Sequence, residues 1–172
     1  MLYVILCALL LGAAAGRRSP GLDATHASEQ RHPRLTQDTI PLPIDSLDFT
    51  VAGVAFGATS GFVRRRLGVP DSSRQIRDGG QAWHYGDLTV LFRQVEVALS
   101  VQGFVIRGPR FMTARGLRVG DTRERVQQLY GNPIRPDSFD VEFQDPTRAG
   151  RAVLITFDRR NVFRIYVGLL SN

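Results

Sequence analysis

The stretch Gly116–Pro133, GLRVGDTRERVQQLYGNP, decides the fold, because its skeleton also occurs 63 residues earlier, at Gly53–Pro70, as GVAFGATSGFVRRRLGVP. An ungapped alignment of Thr50–Pro70 with Thr113–Pro133 gives 7 identical positions out of 21. Such self-similarity at a fixed spacing predicts two copies of one structural unit. The identical pairs are Thr50/Thr113, Gly53/Gly116, Gly57/Gly120, Thr59/Thr122, Val63/Val126, Gly68/Gly131 and Pro70/Pro133.

Each skeleton predicts a short helix with a defined start and end. In the second copy we expect Asp121 as the N-cap, and Glu124, three residues later, completes a capping box. In the first copy Thr59 is the expected cap. A glycine then ends each helix in a left-handed conformation and a proline prevents its continuation. The apolar faces are Phe62, Val63 and Leu67 in one helix and Val126, Leu129 and Tyr130 in the other. The residues with an expected structural role are Gly57, Thr59, Gly68, Pro70, Gly120, Thr122, Gly131 and Pro133.

Alternating apolar residues after each helix predict antiparallel strands with one buried face. The strands are QAWHYG, DLTVLF and VEVALSVQ in the first copy, and DVEF, AVLITF and VFRIYV in the second. We therefore predict an α+β fold of two tandem α-β-β-β repeats, 46–108 and 109–172, whose antiparallel sheet carries both helices on one face. In the third strands the inward residues are Val95, Val97, Leu99, Val101, Phe163, Ile165 and Val167.

The first fifteen residues, MLYVILCALLLGAAA, predict a secretory signal peptide that is cleaved near Ala15. The run is apolar, ends in small residues and is shorter than the ~20 residues that a spanning helix needs. An uncleaved anchor and a wrongly assigned start remain alternatives. Residues 16–45 are polar with four prolines, which predicts a disordered linker. We expect an exported, periplasmic or extracellular protein without a transmembrane span in its mature form.

The charge of the chain predicts anionic partners. All 22 basic residues are arginine and the net charge is +6. In an exported protein this charge favours cell-wall polymers, lipid head groups or acidic proteins, and we expect no nucleic-acid partner. Arg64, Arg65 and Arg123 lie on the polar sides of the predicted helices and are candidate contacts for anionic envelope polymers. Cys7 is the only cysteine and lies in the predicted signal peptide, so the mature chain would form no disulfide.

The sequence contains no pattern that predicts a reaction. His84 is the only histidine beyond residue 45, and no G-x-S-x-G motif accompanies it. The acidic pair Asp121/Glu124 is explained by a helix cap, and Asp140/Glu142 by the exposed side of a strand, rather than by glycosidase carboxylates. We expect no catalytic residue, no cofactor and no metal.

The repeated pattern G-φ-x-φ-G-x-T-x3-V-x3-φ-G-x-P, with φ apolar, precedes a W-x-Y strand and resembles the SmpA/OmlA-like domain of the small lipoproteins of the outer-membrane β-barrel assembly machine. Two tandem copies resemble the β-lactamase inhibitor protein family. The likeness covers about residues 48–172, but the lipidated cysteine of the first family and the disulfides of the second are missing here. It implies an extracytoplasmic module whose sheet or loops hold another protein. The matching positions are Gly57, Thr59, Val63, Gly68, Pro70, Trp83, Tyr85, Gly120, Thr122, Val126, Gly131 and Pro133.

A sheet with both helices on one face leaves its other face for a partner. Strand alternation assigns to that face His84, Arg93, Glu96, Thr156, Arg164 and Tyr166. We therefore predict an exported, non-enzymatic protein-binding or envelope-assembly module whose partner is another envelope or secreted protein. A cell-wall-acting hydrolase and a structural envelope protein that binds anionic surfaces through its helices remain alternatives.

Overall fold

A computed structural model of the chain describes residues 41–136 and 139–170, so the predicted signal peptide and the predicted linker up to residue 40 lie outside the described residues. The described part is an α+β unit with an antiparallel sheet and two α-helices. The helices are α1 (Ser60–Leu67) and α2 (Arg123–Tyr130), and 3₁₀ turns cover Ser46–Phe49 and Arg77–Gly79. The strands are β1 (Thr50–Val51), β2 (Val54–Ala55), β3 (Ser72–Gln75), β4 (Gln81–Tyr85), β5 (Leu88–Val95), β6 (Ala98–Ile106), β7 (Arg135–Pro136), β8 (Asp140–Gln144), β9 (Arg151–Asp158) and β10 (Asn161–Leu169).

Eight of the strands form one sheet in the order β3-β4-β5-β6-β10-β9-β8-β7, and every neighbouring pair is antiparallel. Strands β6 and β10 therefore lie together at its centre. Each α-helix is followed by four strands rather than the predicted three, because a short edge strand, β3 or β7, precedes the predicted set. Strands β1 and β2 form a separate two-stranded ribbon.

The hydrophobic core lies on one face of the sheet. Cross-strand register aligns Trp83 with Val90 and Val90 with Phe104, and the same row continues through β10 and β9 to Phe143. Both helices pack on this face: Val63 and Val126 are buried in the same cluster, and the rings of Tyr130 and Phe143 lie 5.0 Å apart. The strand alternation predicted this face correctly for the first two predicted strands of each copy.

The two helices begin in the same way. The Thr59 hydroxyl accepts a hydrogen bond from the Phe62 amide, and the Thr122 hydroxyl accepts one from the Arg125 amide, both at 3.3 Å. Asp121 is therefore not the cap of α2, and that prediction was wrong. Its carboxylate instead accepts a hydrogen bond from the Arg118 amide at 2.8 Å, because Thr122 lies one residue closer to the free amides of the first turn.

The two helices also end in the same way. Gly68 has φ 88° and ψ −162°, and Gly131 has φ 77° and ψ −149°. The positive φ at both exits confirms the prediction that glycine is needed there. The ψ angles place both residues in the extended mirror-image region rather than the left-handed helical one, and that region is essentially restricted to glycine.

Both third strands differ from the prediction, because neither alternates without interruption. In the first half, Glu96 and Val97 form the β5–β6 turn, which leaves Val95 49% exposed and Val97 98% exposed. In the second half, an irregularity between Val162 and Arg164 shifts the pattern by one position, so that Val162 is buried and Phe163 is 57% exposed. A bulge reverses the face on which the following side chains lie.

The packed chain begins before Ser46. Ile44 is 5% exposed, and the Asp45 carboxylate accepts a hydrogen bond from the Leu47 amide at the start of the first 3₁₀ turn. Arg115 holds this segment: its guanidinium donates to both carboxylate oxygens of buried Asp48, at 2.6 and 2.7 Å. The same guanidinium also donates to the carbonyls of Leu42, Pro43 and Leu129.

Candidate functional site

We call the face of the sheet opposite the helices the outer face. It carries the alternate residues of each strand, which lie on the side away from the core. One of its rows runs across six strands in register, through Ser72, His84, Thr89, Val105, Tyr166 and Leu154. Near the middle of this row Val105, Tyr166 and Leu154 are only half-buried, so solvent reaches them. Among the described residues, no helix has the length and hydropathy needed to cross a bilayer.

A depression of about 380 Å³ lies at the centre of the outer face. We call it the central depression. It contains three aliphatic side chains, Leu91 from β5, Val105 from β6 and Leu154 from β9, together with Tyr166 and Arg164 from β10. A mixed aliphatic and aromatic surface beside an arginine has the composition of energetically important interface centres. The remaining lining residues are Arg107, Leu169 and Leu170.

Tyr166 lies along the sheet. A Cβ atom placed on Gly103 would be 3.1 Å from the Tyr166 hydroxyl, and one placed on Gly168 would be 2.9 Å from it. The two glycines, which are cross-strand partners, therefore make room for the ring. Its hydroxyl donates to the Leu169 carbonyl, and burial raises the pKa of Tyr166 above its ordinary value. With its hydroxyl already engaged, Tyr166 offers mainly its ring to a partner.

Arg164 is oriented by its neighbour on β9. Its guanidinium donates to the Thr156 hydroxyl at 3.1 Å, and both side chains are half-buried. In the same row Thr156 is opposite Asp140, and in the adjacent row Leu154 is opposite Glu142, whose carboxylate accepts a hydrogen bond from Gln144. The outer face is thus basic beside the central depression and acidic on β8.

The structure brings together three of the six residues predicted for a partner. Thr156, Arg164 and Tyr166 lie side by side on β9 and β10. His84 lies in the same row as Tyr166 but three strands away, a separation of about 14 Å, and its Nδ1 shares a hydrogen bond of 3.0 Å with Thr89.

The other two predicted residues lie apart from this group. Arg93 pairs with Ser100, whereas β10 pairs with β6 only over 103–106, so Arg93 is beyond the end of β10. Glu96 lies in the β5–β6 turn with φ 52° and not on the outer side of a strand. Its assignment to the outer face was wrong, because the predicted strand VEVALSVQ is interrupted by the turn.

The helix arginines proposed for anionic polymers are in part already engaged. The Arg64 guanidinium lies 5.4 Å from the centre of the Trp83 ring, and that of Arg123 lies 3.9 Å from the centre of the Phe157 ring. Arg65 is exposed. Cation–π contacts of this kind stabilise the packing of the helices on the sheet and hold the guanidinium against the protein.

Sequence reasoning missed the aliphatic residues of the central depression. Leu91, Val105 and Leu154 occupy positions that strict alternation assigns to a wet face, between the core residues of their strands. The apolar pairs that they form with neighbours, as in VLF, FVI and VLI, were a usable signal. Continuous apolar runs indicate strands that are covered on both faces.

Comparison with known proteins provides no family. No protein-family model matches the chain, and no curated protein matches it. Among solved structures, the chain is similar to an extracellular protein containing a SCP domain from Bacillus anthracis str. Ames, with a TM-score of 0.48 and 10% sequence identity. The similarity covers 66% of this chain and 43% of that one, so the chain spans less than half the length of that protein.

Proposed function

We propose that this protein is an exported, non-enzymatic binding module that holds another envelope or secreted protein on the outer face of its sheet. One observation carries the proposal: the central depression combines solvent-accessible aliphatic side chains, the Tyr166 ring and the oriented Arg164 guanidinium at the middle of an eight-stranded sheet. Arginine and tyrosine at the centre of a surface are typical of residues that dominate binding energy.

The dimensions of the outer face suit a protein rather than a small ligand alone. Eight strands span about 34 Å, and five paired residues along a strand span about 17 Å. The product is on the order of 600 Å², which approaches the ~800 Å² that each partner buries in a stable protein complex. A paired sheet is also preorganised, so binding orders few side chains and loses little entropy.

Charge favours an acidic partner. The chain has a net charge of +6, and the central depression is lined by Arg107 and Arg164 without a carboxylate. A partner that presents an apolar side chain beside a carboxylate would fill the aliphatic part and pair with Arg164. Complementary charge of this kind raises the association rate and specifies orientation.

The proposal includes a duplication of one unit within the chain. Equivalent glycines have similar angles in the two halves: φ is 76° at Gly53 and 84° at Gly116, and 83° at Gly57 and 97° at Gly120. The sheet order is also the same when read inward from either edge, with one helix and four strands from each half. On this interpretation β6 and β10 join the two copies, and the central depression lies at their junction.

Export and the absence of catalysis rest on the sequence patterns and on the resemblance described above. The apolar start with its small residues supports secretion, and the glycine-threonine-proline skeleton supports an SmpA/OmlA-like or inhibitor-like module. The hydrogen bond between His84 and Thr89 supports a packing role for that histidine.

Affinity capture with matched charge reversals tests the proposal. The mature protein is used to capture partners from an envelope extract of its own cells, and each captured protein is purified for titration. We expect Arg164→Glu to weaken the binding of the captured protein by at least about tenfold, since an arginine at the centre of an interface is a frequent hot spot. Leu154→Gln, which leaves the charge unchanged, should weaken the binding of the same partner.

Arg65→Glu is the control, because it makes the same charge change on α1. It should leave the affinity nearly unchanged, and all three variants should keep the melting temperature within a few degrees. If Arg65→Glu abolishes binding while Arg164→Glu and Leu154→Gln do not, the partner binds the helices and the proposed face is wrong.

A further inference from the structure

A second depression, of about 590 Å³, lies beside the β9–β10 turn. We call it the basic depression. Three arginines line it: Arg159 and Arg160 form the turn itself, and Arg107 follows the end of β6. The basic depression shares Arg107 with the lining of the central depression, but Arg159 and Arg160 do not line the proposed partner site. The other lining residues are Val119, Gly120, Asp158, Asn161, Val162 and Phe163.

The three arginines have no protein partner for their charge within the described ranges. No guanidinium hydrogen bond, ion pair or ring contact there involves Arg107, Arg159 or Arg160. Hydrogen bonds lower the pKa of Glu124, and the charge of Arg160 lowers it further. The side chains of Glu124 and Arg160 nevertheless form no ion pair. Asp158 is the single carboxylate of the lining, so the depression carries an excess of two positive charges.

Three arginines elsewhere in the described chain are engaged by the protein instead. Arg115 is paired with Asp48, Arg164 donates to Thr156, and Arg64 lies over the Trp83 ring. Like charges that share a concave surface repel each other, and such a surface attracts anions.

The turn that carries two of the arginines is strained. Arg159 has φ 56° at the first position of a two-residue turn between the paired residues Asp158 and Asn161. A positive φ at the first position of such a turn is normally supplied by glycine. Glu96 occupies the corresponding position of the β5–β6 turn with φ 52°. The chain therefore contains an internal control with the same strain and the opposite charge.

The chemistry of the lining specifies a phosphate group. Guanidinium groups bind phosphate oxygens with two parallel hydrogen bonds. A phosphate monoester carries about two negative charges, which matches the excess charge, whereas one carboxylate supplies a single charge. Phe163, which is 57% exposed, adds an aromatic surface for the organic part of the ligand.

We propose that the basic depression is a binding site for a phosphate ester, in which Arg107, Arg159 and Arg160 hold the phosphate and Phe163 contacts the attached apolar or planar group. Its volume lies within the range of roughly 300–1,000 Å³ that is usual for small-ligand sites. Two sources supply a phosphate with this chemistry, a free phosphate ester and a phospholipid head group.

Calorimetric titration at fixed ionic strength tests the site with two probes, inorganic pyrophosphate and phenyl phosphate. We expect both to bind the wild-type protein, and Arg107→Gln and Arg160→Gln each to weaken binding by about tenfold, the effect of losing one charge-assisted hydrogen bond. Arg65→Gln removes an exposed guanidinium that does not line the depression, so its affinity should equal that of the wild type. Absence of saturable binding, or an equal loss in Arg65→Gln, overturns the proposal.

The strained turn supplies a sharper test. Arg159→Gly should raise the melting temperature by a few degrees and weaken pyrophosphate binding by about tenfold, because it relieves the strain and removes a charge. Glu96→Gly should raise the melting temperature by a similar amount and leave binding unchanged. A loss of binding in both variants, or in neither, overturns the role of Arg159.

Vesicles identify the source of the phosphate. Phosphatidylglycerol vesicles that bind the wild-type protein, release it on addition of pyrophosphate and fail to bind Arg160→Gln would identify a lipid head group. Binding of phenyl phosphate without vesicle binding would identify a free ester. Vesicle binding that is equal in the wild type and Arg160→Gln would contradict the proposal for lipids, because attraction would then come from net charge alone.

Discussion

The loops that precede α1 and α2 have glycines with similar positive φ angles at equivalent positions, but the loops are held by different contacts. Gly57 donates to the Val101 carbonyl and Gly120 to the Val162 carbonyl, both at 2.8 Å. In the first half the loop carbonyl of Ala52 accepts a hydrogen bond from exposed Arg66. In the second half, Arg115 occupies the position equivalent to Ala52, and its guanidinium pairs with buried Asp48.

The difference shows which features the two halves share. The glycines with positive φ occupy equivalent positions in both halves, whereas the side chains that fasten each loop to its surroundings differ. The second loop is fastened to the chain segment 42–48, at the start of the first half. Both loops are hydrogen-bonded to distant strands, but the side chain that fastens the second loop reaches a residue 67 positions away, whereas Arg66 lies 14 positions from Ala52.

The largest expected effect comes from removing that long-range contact. Arg115→Ala should lower the free energy of unfolding by about 3–5 kcal/mol, since it leaves the Asp48 carboxylate buried without its charge partner. Chemical denaturation with urea measures the change. Arg66→Ala, in the first half, should lower it by at most about 1 kcal/mol, because that side chain is exposed. Equal losses would contradict the distinction between the two loops.

Next in size are the helix exits. Gly68→Ala and Gly131→Ala should each lower the free energy of unfolding by about 2 kcal/mol, because alanine is strained at these angles. A Cβ atom meets nothing within 4 Å at Gly68 and only Pro41, at 3.5 Å, at Gly131. The two losses should therefore agree closely in thermal denaturation. A loss of stability at one exit alone would show that the two exits differ in energy although their backbone angles are similar.

Alkaline pH should act mainly through the buried tyrosines. Burial raises the pKa of Tyr130 well above its ordinary value, and the Tyr130 hydroxyl is bonded to Thr113 at 2.8 Å. The unfolded chain releases this proton near pH 10 and the folded chain does not, so stability is complete below about pH 10 and falls as pH rises above it. Each such tyrosine contributes a slope of about 1.4 kcal/mol per pH unit.

Tyr130→Phe provides the measurement for this effect. The variant should be less stable at pH 8, because it leaves Thr113 without that hydrogen bond, but its stability should fall less steeply between pH 10 and 11. Urea denaturation across that range compares the slopes. Identical slopes in the two proteins would show that Tyr130 ionises in the folded state as it does in the unfolded one.

The smallest expected effects come from the helix caps. Thr59→Ala and Thr122→Ala should each lower the free energy of unfolding by about 1 kcal/mol, which is typical of a lost N-cap. Thermal denaturation is sufficient to detect this loss. Thr→Ser at either position retains the hydroxyl and serves as the control. If Thr122→Ala were neutral, Asp121 would be able to replace it as the cap.

Part of the candidate site was predictable and part was not. Alternation placed Thr156, Arg164 and Tyr166 on one face, because β9 and β10 pair regularly from Arg164 onward. It failed for Glu96 because a turn with a positive φ has no residue pattern when glycine is absent. The basic depression was also missed: Arg107 and Arg160 are 53 residues apart and meet only through the sheet order.

The sequence by itself determined the α+β composition, the helix exits at Gly68 and Gly131, and the inward faces of the regular strands. These features depend on local backbone conformation and on periodicity, which a few neighbouring residues specify. Tertiary structure alone decided that β6 pairs with β10, that Arg115 pairs with Asp48, and that three arginines share one depression. Such contacts join residues that are distant along the chain, and their partners are chosen by packing and charge rather than by any local pattern.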